Sequence, residues 1–196
     1  INDADATSIT ATELAAIGAA TTGTVTVTNA VNIIGDHDQL TAALVTAETK
    51  VVVSDATVLI NDADATSITA TELAAIGAAT TGTVTVTNAV AITGDHDQLT
   101  AALVTESTKV IISDASLTIS NNPTIAELNA IAAMTTGVVT ATLAADSLTN
   151  LAALSTDGTD VITITVSNEG GETVNAEDLS DIGGKTAGTV TLTNAQ

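Results

Sequence analysis

The chain has 196 residues, a formal net charge of −20, no cysteine, no aromatic residue and one proline. Its three basic residues, Lys50, Lys109 and Lys185, cannot neutralise a row of phosphates, which argues against nucleic acid as a partner, and the acidity repels anionic membrane surfaces. No apolar run approaches the roughly 18 residues of a membrane span, so membrane insertion is not expected.

Ile1 opens the motif Ile1-Asn2-Asp3-Ala4-Asp5-Ala6-Thr7-Ser8-Ile9-Thr10, which returns unchanged from Ile60 to Thr69. The alternating carboxylates Asp3 and Asp5, with their copies Asp62 and Asp64, offer hard oxygen ligands on a loop, the chemistry calcium takes. Thr10-Ala11-Thr12-Glu13 is a capping box and predicts a helix beginning near Thr10, with Leu14 and Ile17 as its apolar stripe. Thr24-Val25-Thr26-Val27-Thr28 has period two and predicts a strand over 25–28, valines inward and threonines outward. Asp36-His37-Asp38-Gln39 repeats the capping device and starts a second helix near Asp36, with Leu40, Ala43 and Leu44 on one face. A strand over 51–54 and a second apolar run at 58–60 complete the unit.

The next unit predicts helices near Thr69 and Asp95 and strands over 84–87 and 110–113. The four strands are expected to stack in parallel and in register. Thr124 to Glu127 caps a further helix, and residues 166–196 align without gaps on 60–90. Asn or Asp recurs at each strand exit (Asn29, Asp55, Asn88, Asp114, Asn194), expected as a ladder that bonds the bending backbone.

Periodicity organises the whole chain. The units are 1–59, 60–118, a diverged 119–165 and a partial 166–196, and the stretch 1–31 recurs without a change as 60–90. Each unit divides into related halves, giving a coil of roughly 27–32 residues, within the range of solenoid repeats. The expected fold is a single α/β solenoid over 1–196, with parallel stacked strands, one short helix per coil and about seven coils. One coil cannot cover its own apolar face, so each needs neighbours. Without aromatic residues, the core must be thin and uniform, built of Val, Ile, Leu and Ala.

The run Thr-Glu-Leu-Ala-Ala-Ile-Gly followed by Thr-Thr-Gly-Thr-Val-Thr-Val-Thr-Asn resembles the acidic, Thr/Ala-rich tandem repeats of large surface and secreted proteins of cyanobacteria and other aquatic bacteria. The resemblance covers nearly the whole chain and implies an extracellular or cell-surface, architectural setting. Those arrays often accompany glycine-rich calcium repeats, a motif missing here. The absence of cysteine is compatible with secretion. Ile1 in place of Met reads as a processed chain or a stretch of a longer one.

His37 and His96 occupy one repeat position and are expected in an exposed cap loop. Ser, His and Asp that come as repeated copies are not one catalytic assembly, so no enzyme is expected. The competing expectation for Asp3, Asp5, Asp62 and Asp64 is a solvated loop, because the third copy reads Ser120-Asn121-Asn122-Pro123 and the fourth Ser167-Asn168-Glu169. Outward threonines suggest ice binding, but Lys50, Val52 and Ser54 interrupt them in alternate coils. The expected function is structural: self-assembly into an extracellular filament, sheath or surface layer by end-to-end stacking of coils, with a calcium- or ice-binding module of a surface adhesin as the alternative. The matching phases of Asn194-Ala195-Gln196 and Asp55-Ala56-Thr57 place a following Ile1 in coil register.

Overall fold

The structure, a computed structural model, describes residues 1–46, 48–105, 107, 109–167 and 173–193. The first unit holds β1 (Ser8–Thr10), α1 (Ala11–Ala19), β2 (Val25–Val27), β3 (Asn32–Gly35), α2 (His37–Leu40) running into a π-helical turn (Thr41–Val45), β4 (Val51–Val53) and β5 (Thr57–Ile60). The second holds β6 (Ser67–Thr69), α3 (Ala70–Ala78), β7 (Val84–Val86), β8 (Ala91–Gly94), α4 (His96–Leu99) with its π turn (Thr100–Val104), β9 (Val110–Ile111) and β10 (Ser116–Ile119). Then follow α5 (Ile125–Ala132), β11 (Val139–Thr142), α6 (Leu148–Leu151), β12 (Val161–Ser167), α7 (Ala176–Gly183) and β13 (Val190–Thr193).

The helices start where the sequence places them. Thr10, Asp36, Thr69, Asp95 and Thr124 are the N-caps, each accepting from the N3 amide while the N3 side chain returns to the cap backbone. These helices are short, and tertiary packing must hold them. Leu14, Leu40, Leu73 and Leu99 are fully buried. Neighbouring helices pack on one another: α1 on the turn at Thr41–Val45, that turn on α3, and α4 on α5.

Among the described residues the strands form three sheets, all parallel: β1-β3-β5-β7-β9, β6-β8-β10-β11-β12-β13, and the pair β2-β4. Val25 pairs with Val51 and Val84 with Val110, in the register expected. One expected neighbour relation fails. β7 pairs with β5, Val58 opposite Val84, rather than with β4. Ladder steps explain it. Ser8 pairs with Asn32 and Asn32 with Thr57, so two steps carry the ladder from Ser8 to Thr57. The repeat copy of Ser8 is Ser67, further along the chain, and the surplus is the 61–66 loop with the start of β6. The ladder therefore slips against the helices. It begins as β1, just before a helix, and ends as β9, just after one, while β6 opens a new ladder beside β8.

Alternation holds within the strands: Val25 and Val27 are buried and Thr26 is exposed. The core is one cluster from Ile9 to Ile182, made of Val, Ile, Leu and Ala. Among the described residues no helix is long and apolar enough to cross a membrane.

Candidate functional site

The acidic loops are structural turns that bond neighbouring segments. Ala6 and Ala65 take the left-handed conformation, with φ of 61° in both, and donate their N–H groups to Ala30 and Ala89 carbonyls at 2.8 Å. Asp5 Oδ1 accepts from the Ala30 amide at 3.3 Å and Asp64 Oδ1 from Ala89 at 3.2 Å. Asp62 is only 5% exposed and lies over the start of α2. Its Oδ2 accepts from the His37 amide at 2.8 Å, and its Oδ1 is 2.7 Å from His37 Nδ1. One unit on, Asn121 takes the same place and accepts from the His96 amide at 2.9 Å. Asp3, the first-unit counterpart of Asp62, is exposed. Among the described residues no three His, Cys, Asp or Glu side chains converge as a metal site.

The histidines differ from the expected exposed loop. The His37 side chain is 13% exposed, because the Asn61–Asp64 segment of the next unit covers it. Burial draws its pKa down; the Asp62 hydrogen bond and the charges of Asp62, Asp38 and Glu72 more than offset this, so it is raised. Strand-exit residues also act over a longer range than a local ladder. Asn88 Nδ2 donates to Asp62 O at 2.5 Å and Asn29 Nδ2 to Asp3 O, whereas Asp55 and Asp114 accept from the adjacent Ser54 and Ser113 hydroxyls. Asn194, and the fourth-copy residues Asn168 and Glu169, lie outside the described residues.

A second junction was not read from the sequence, although its signal, Thr-x-Gly after each long helix, recurs four times (Thr21, Thr80, Thr135, Thr186). Each turn closes on itself, the glycine amide donating to the threonine hydroxyl at 3.1, 3.0, 2.9 and 2.8 Å. In three copies it also grips the backbone beneath. Thr80, Thr135 and Thr186 hydroxyls donate to the carbonyls of Ala56 (2.6 Å), Ala115 (2.6 Å) and Ile162 (2.8 Å). The middle residues Thr81, Thr136 and Ala187 donate their amides to Ser54, Ser113 and Asp160 carbonyls at 2.7, 2.8 and 2.7 Å. Glycine is required sterically. A Cβ at Gly82, Gly137 or Gly188 would stand 2.3 to 2.4 Å from those carbonyl oxygens.

The outer threonines follow the same slipped register. Thr26 faces Val52, as the interruption expected from sequence requires. On the six-stranded sheet, however, Thr69, Thr93, Thr118 and Thr140 occupy consecutive rungs before Val161 ends the file. The Thr69 hydroxyl is committed to its cap, donating to Glu72 at 2.7 Å. A cleft of about 660 Å³ separates α5 from α6, and its Asn150 amide donates to Asp146 at 2.7 Å.

These contacts define an α/β protein of tandem units joined by the buried Asp62 carboxylate over α2, its amide counterpart Asn121 over α4, and backbone-gripping turns. No protein-family model matches the chain, and neither the curated proteins nor the solved structures give a match.

Proposed function

We propose that the chain is a single α/β solenoid of about seven coils that serves as a structural building block, assembling with copies of itself by end-to-end stacking into an extracellular filament, sheath or surface layer. One observation carries the reading: the same backbone grip recurs at Thr80, Thr135 and Thr186, after the long helix of each of three units, so one contact is repeated along the array at about every second coil. That contact is made to backbone carbonyls, which every coil possesses. It is therefore indifferent to the side chains beneath, the property a stacking array needs. Open parallel ladders add unpaired backbone groups at each sheet edge. The acidic, Thr/Ala-rich composition supports a surface or secreted setting. In this reading the chain has no catalytic role and no nucleic-acid partner.

Negative-stain images of the purified chain test it. Uniform fibres or sheets are the expected result. Discrete particles whose melting temperature falls with a chelator would instead support calcium binding through Asp3, Asp5, Asp62 and Asp64, since a ligand bound only to the folded state stabilises by mass action.

A further inference from the structure

One rung of the ladders repeatedly exposes a β-branched apolar residue. Val52, Ile111 and Val161 stand opposite Thr26, Thr85 and Thr140, and they are 52%, 55% and 41% exposed. In the first two units a lysine comes two positions earlier, Lys50 and Lys109, both exposed; in the third that place is Thr159. These are two of the three basic residues in a chain of net charge −20. Among the described residues neither is ion-paired, whereas Lys185 donates to the Ala152 and Leu154 carbonyls. Both lysines also take the left-handed conformation, with φ of 50° and 48°, which glycine adopts without the clash of a Cβ. A basic, apolar spot thus recurs on an acidic molecule, at a backbone position that does not favour lysine.

The complement lies elsewhere on the same chain. Most carboxylates that recur from the first unit to the second are spent internally: Glu13 in a capping box, Asp36 as a cap, Asp5 on an amide and Asp55 on a serine hydroxyl, each matched by its copy. Asp3 and Asp62 differ, one exposed and the other buried. Asp38 and Asp97 remain, with side chains 86% and 88% exposed and only a 3.6 Å approach to the adjacent histidine.

We propose that Lys50 with Val52, and Lys109 with Ile111, form a lateral docking face for the Asp38 and Asp97 carboxylates of a second copy of this chain. Both pairs repeat with the same unit, so two chains lying side by side in one direction make both contacts at once. Covering Val52 and Ile111 adds apolar burial to ion pairs that would be weak if left in water. Face and counterface are different surfaces, so the contact does not close on a dimer and can continue to a third chain. This rests on the self-assembly reading and adds sideways growth to end-to-end stacking.

The test compares full-length variants by analytical ultracentrifugation across concentration, negative-stain imaging and thermal melting. The unaltered chain is expected to form sheets or bundles several chains wide. Lys50→Gly/Lys109→Gly removes the charge and suits the backbone, so the melting temperature of dilute protein does not fall while lateral association weakens at least about tenfold. Asp38→Asn/Asp97→Asn weakens association in the same direction. Lys50→Glu/Lys109→Glu and Asp38→Lys/Asp97→Lys each give only narrow assemblies, and an equimolar mixture of the two restores the width. Glycine variants that assemble to the same width at the same concentration, or a charge-swapped mixture that stays narrow, overturn the docking face while leaving self-assembly standing. So does an unaltered chain that forms only single filaments. An unaltered chain that stays monomeric at every concentration overturns both.

Discussion

Asp62 shows how one side chain joins two units and makes that joint responsive to pH. Its carboxylate holds the first amide of α2 and the His37 ring together, and the Asp38 and Glu72 charges add to the field on the imidazole. Because the folded-state pKa of His37 is raised above its ordinary 6.5, the ion pair contributes its full stability below that value and loses it as pH rises through the folded pKa. The melting temperature is expected to fall as pH rises above about 6.5. Asp62→Asn retains an oxygen for the helix amide, as Asn121 does for His96, and should flatten that slope. A slope of the same size in Asp62→Asn would refute the assignment to this pair.

The elements gain stability from their ends more than from their lengths. Short helices suffice at α1 and α3 because each cap satisfies amides at the first turn. The reciprocal bonds also hold Glu13, Glu72 and Glu127 below the usual carboxylate range, through the hydroxyl and amide of Thr10, Thr69 and Thr124. The turn after the helix does the complementary work. Thr186 is 8% exposed; its hydroxyl donates toward Asp160 and Ile162 carbonyls and accepts from the Ile162 and Gly188 amides. Thr186→Val keeps the volume but leaves these buried groups without partners, at a cost of roughly 1–3 kcal/mol. Urea denaturation would measure it as a lower midpoint at unchanged slope. The same change at Thr21 should move the midpoint of dilute protein very little, since the Thr21 hydroxyl bonds only within its own turn.

Across the molecule, identical sequence acquires different worth according to what lies next to it. Ile76 is fully buried, whereas Ile17, its counterpart in the identical stretch, is 44% exposed. Ile76→Ala is expected to cost roughly 2–5 kcal/mol, the range for a buried isoleucine whose site cannot collapse. Ile17→Ala should cost well under that, about 0.5 kcal/mol or less as for a surface position. Comparing the two variants in one denaturation series checks the neighbour-dependence directly. Equal losses would mean that the first unit is covered in dilute solution.

Local chemistry alone was enough to determine where helices begin, which strand residues face inward and how often the unit returns. Capping boxes act within one helical turn, alternation acts within a strand, and the identity of 1–31 with 60–90 gives both copies the same local structure. The pairing of β7 with β5, the cover over His37 and the backbone grip of Thr80, Thr135 and Thr186 were decided only in three dimensions. Ladder partners are chosen by the length of chain needed to bring one strand beside the next, Ser8 to Asn32 and then to Thr57, a length that no local pattern encodes. Because two such steps end at Thr57, short of the repeat copy Ser67, strands, aspartates and threonines meet neighbours other than those their repeat positions suggest.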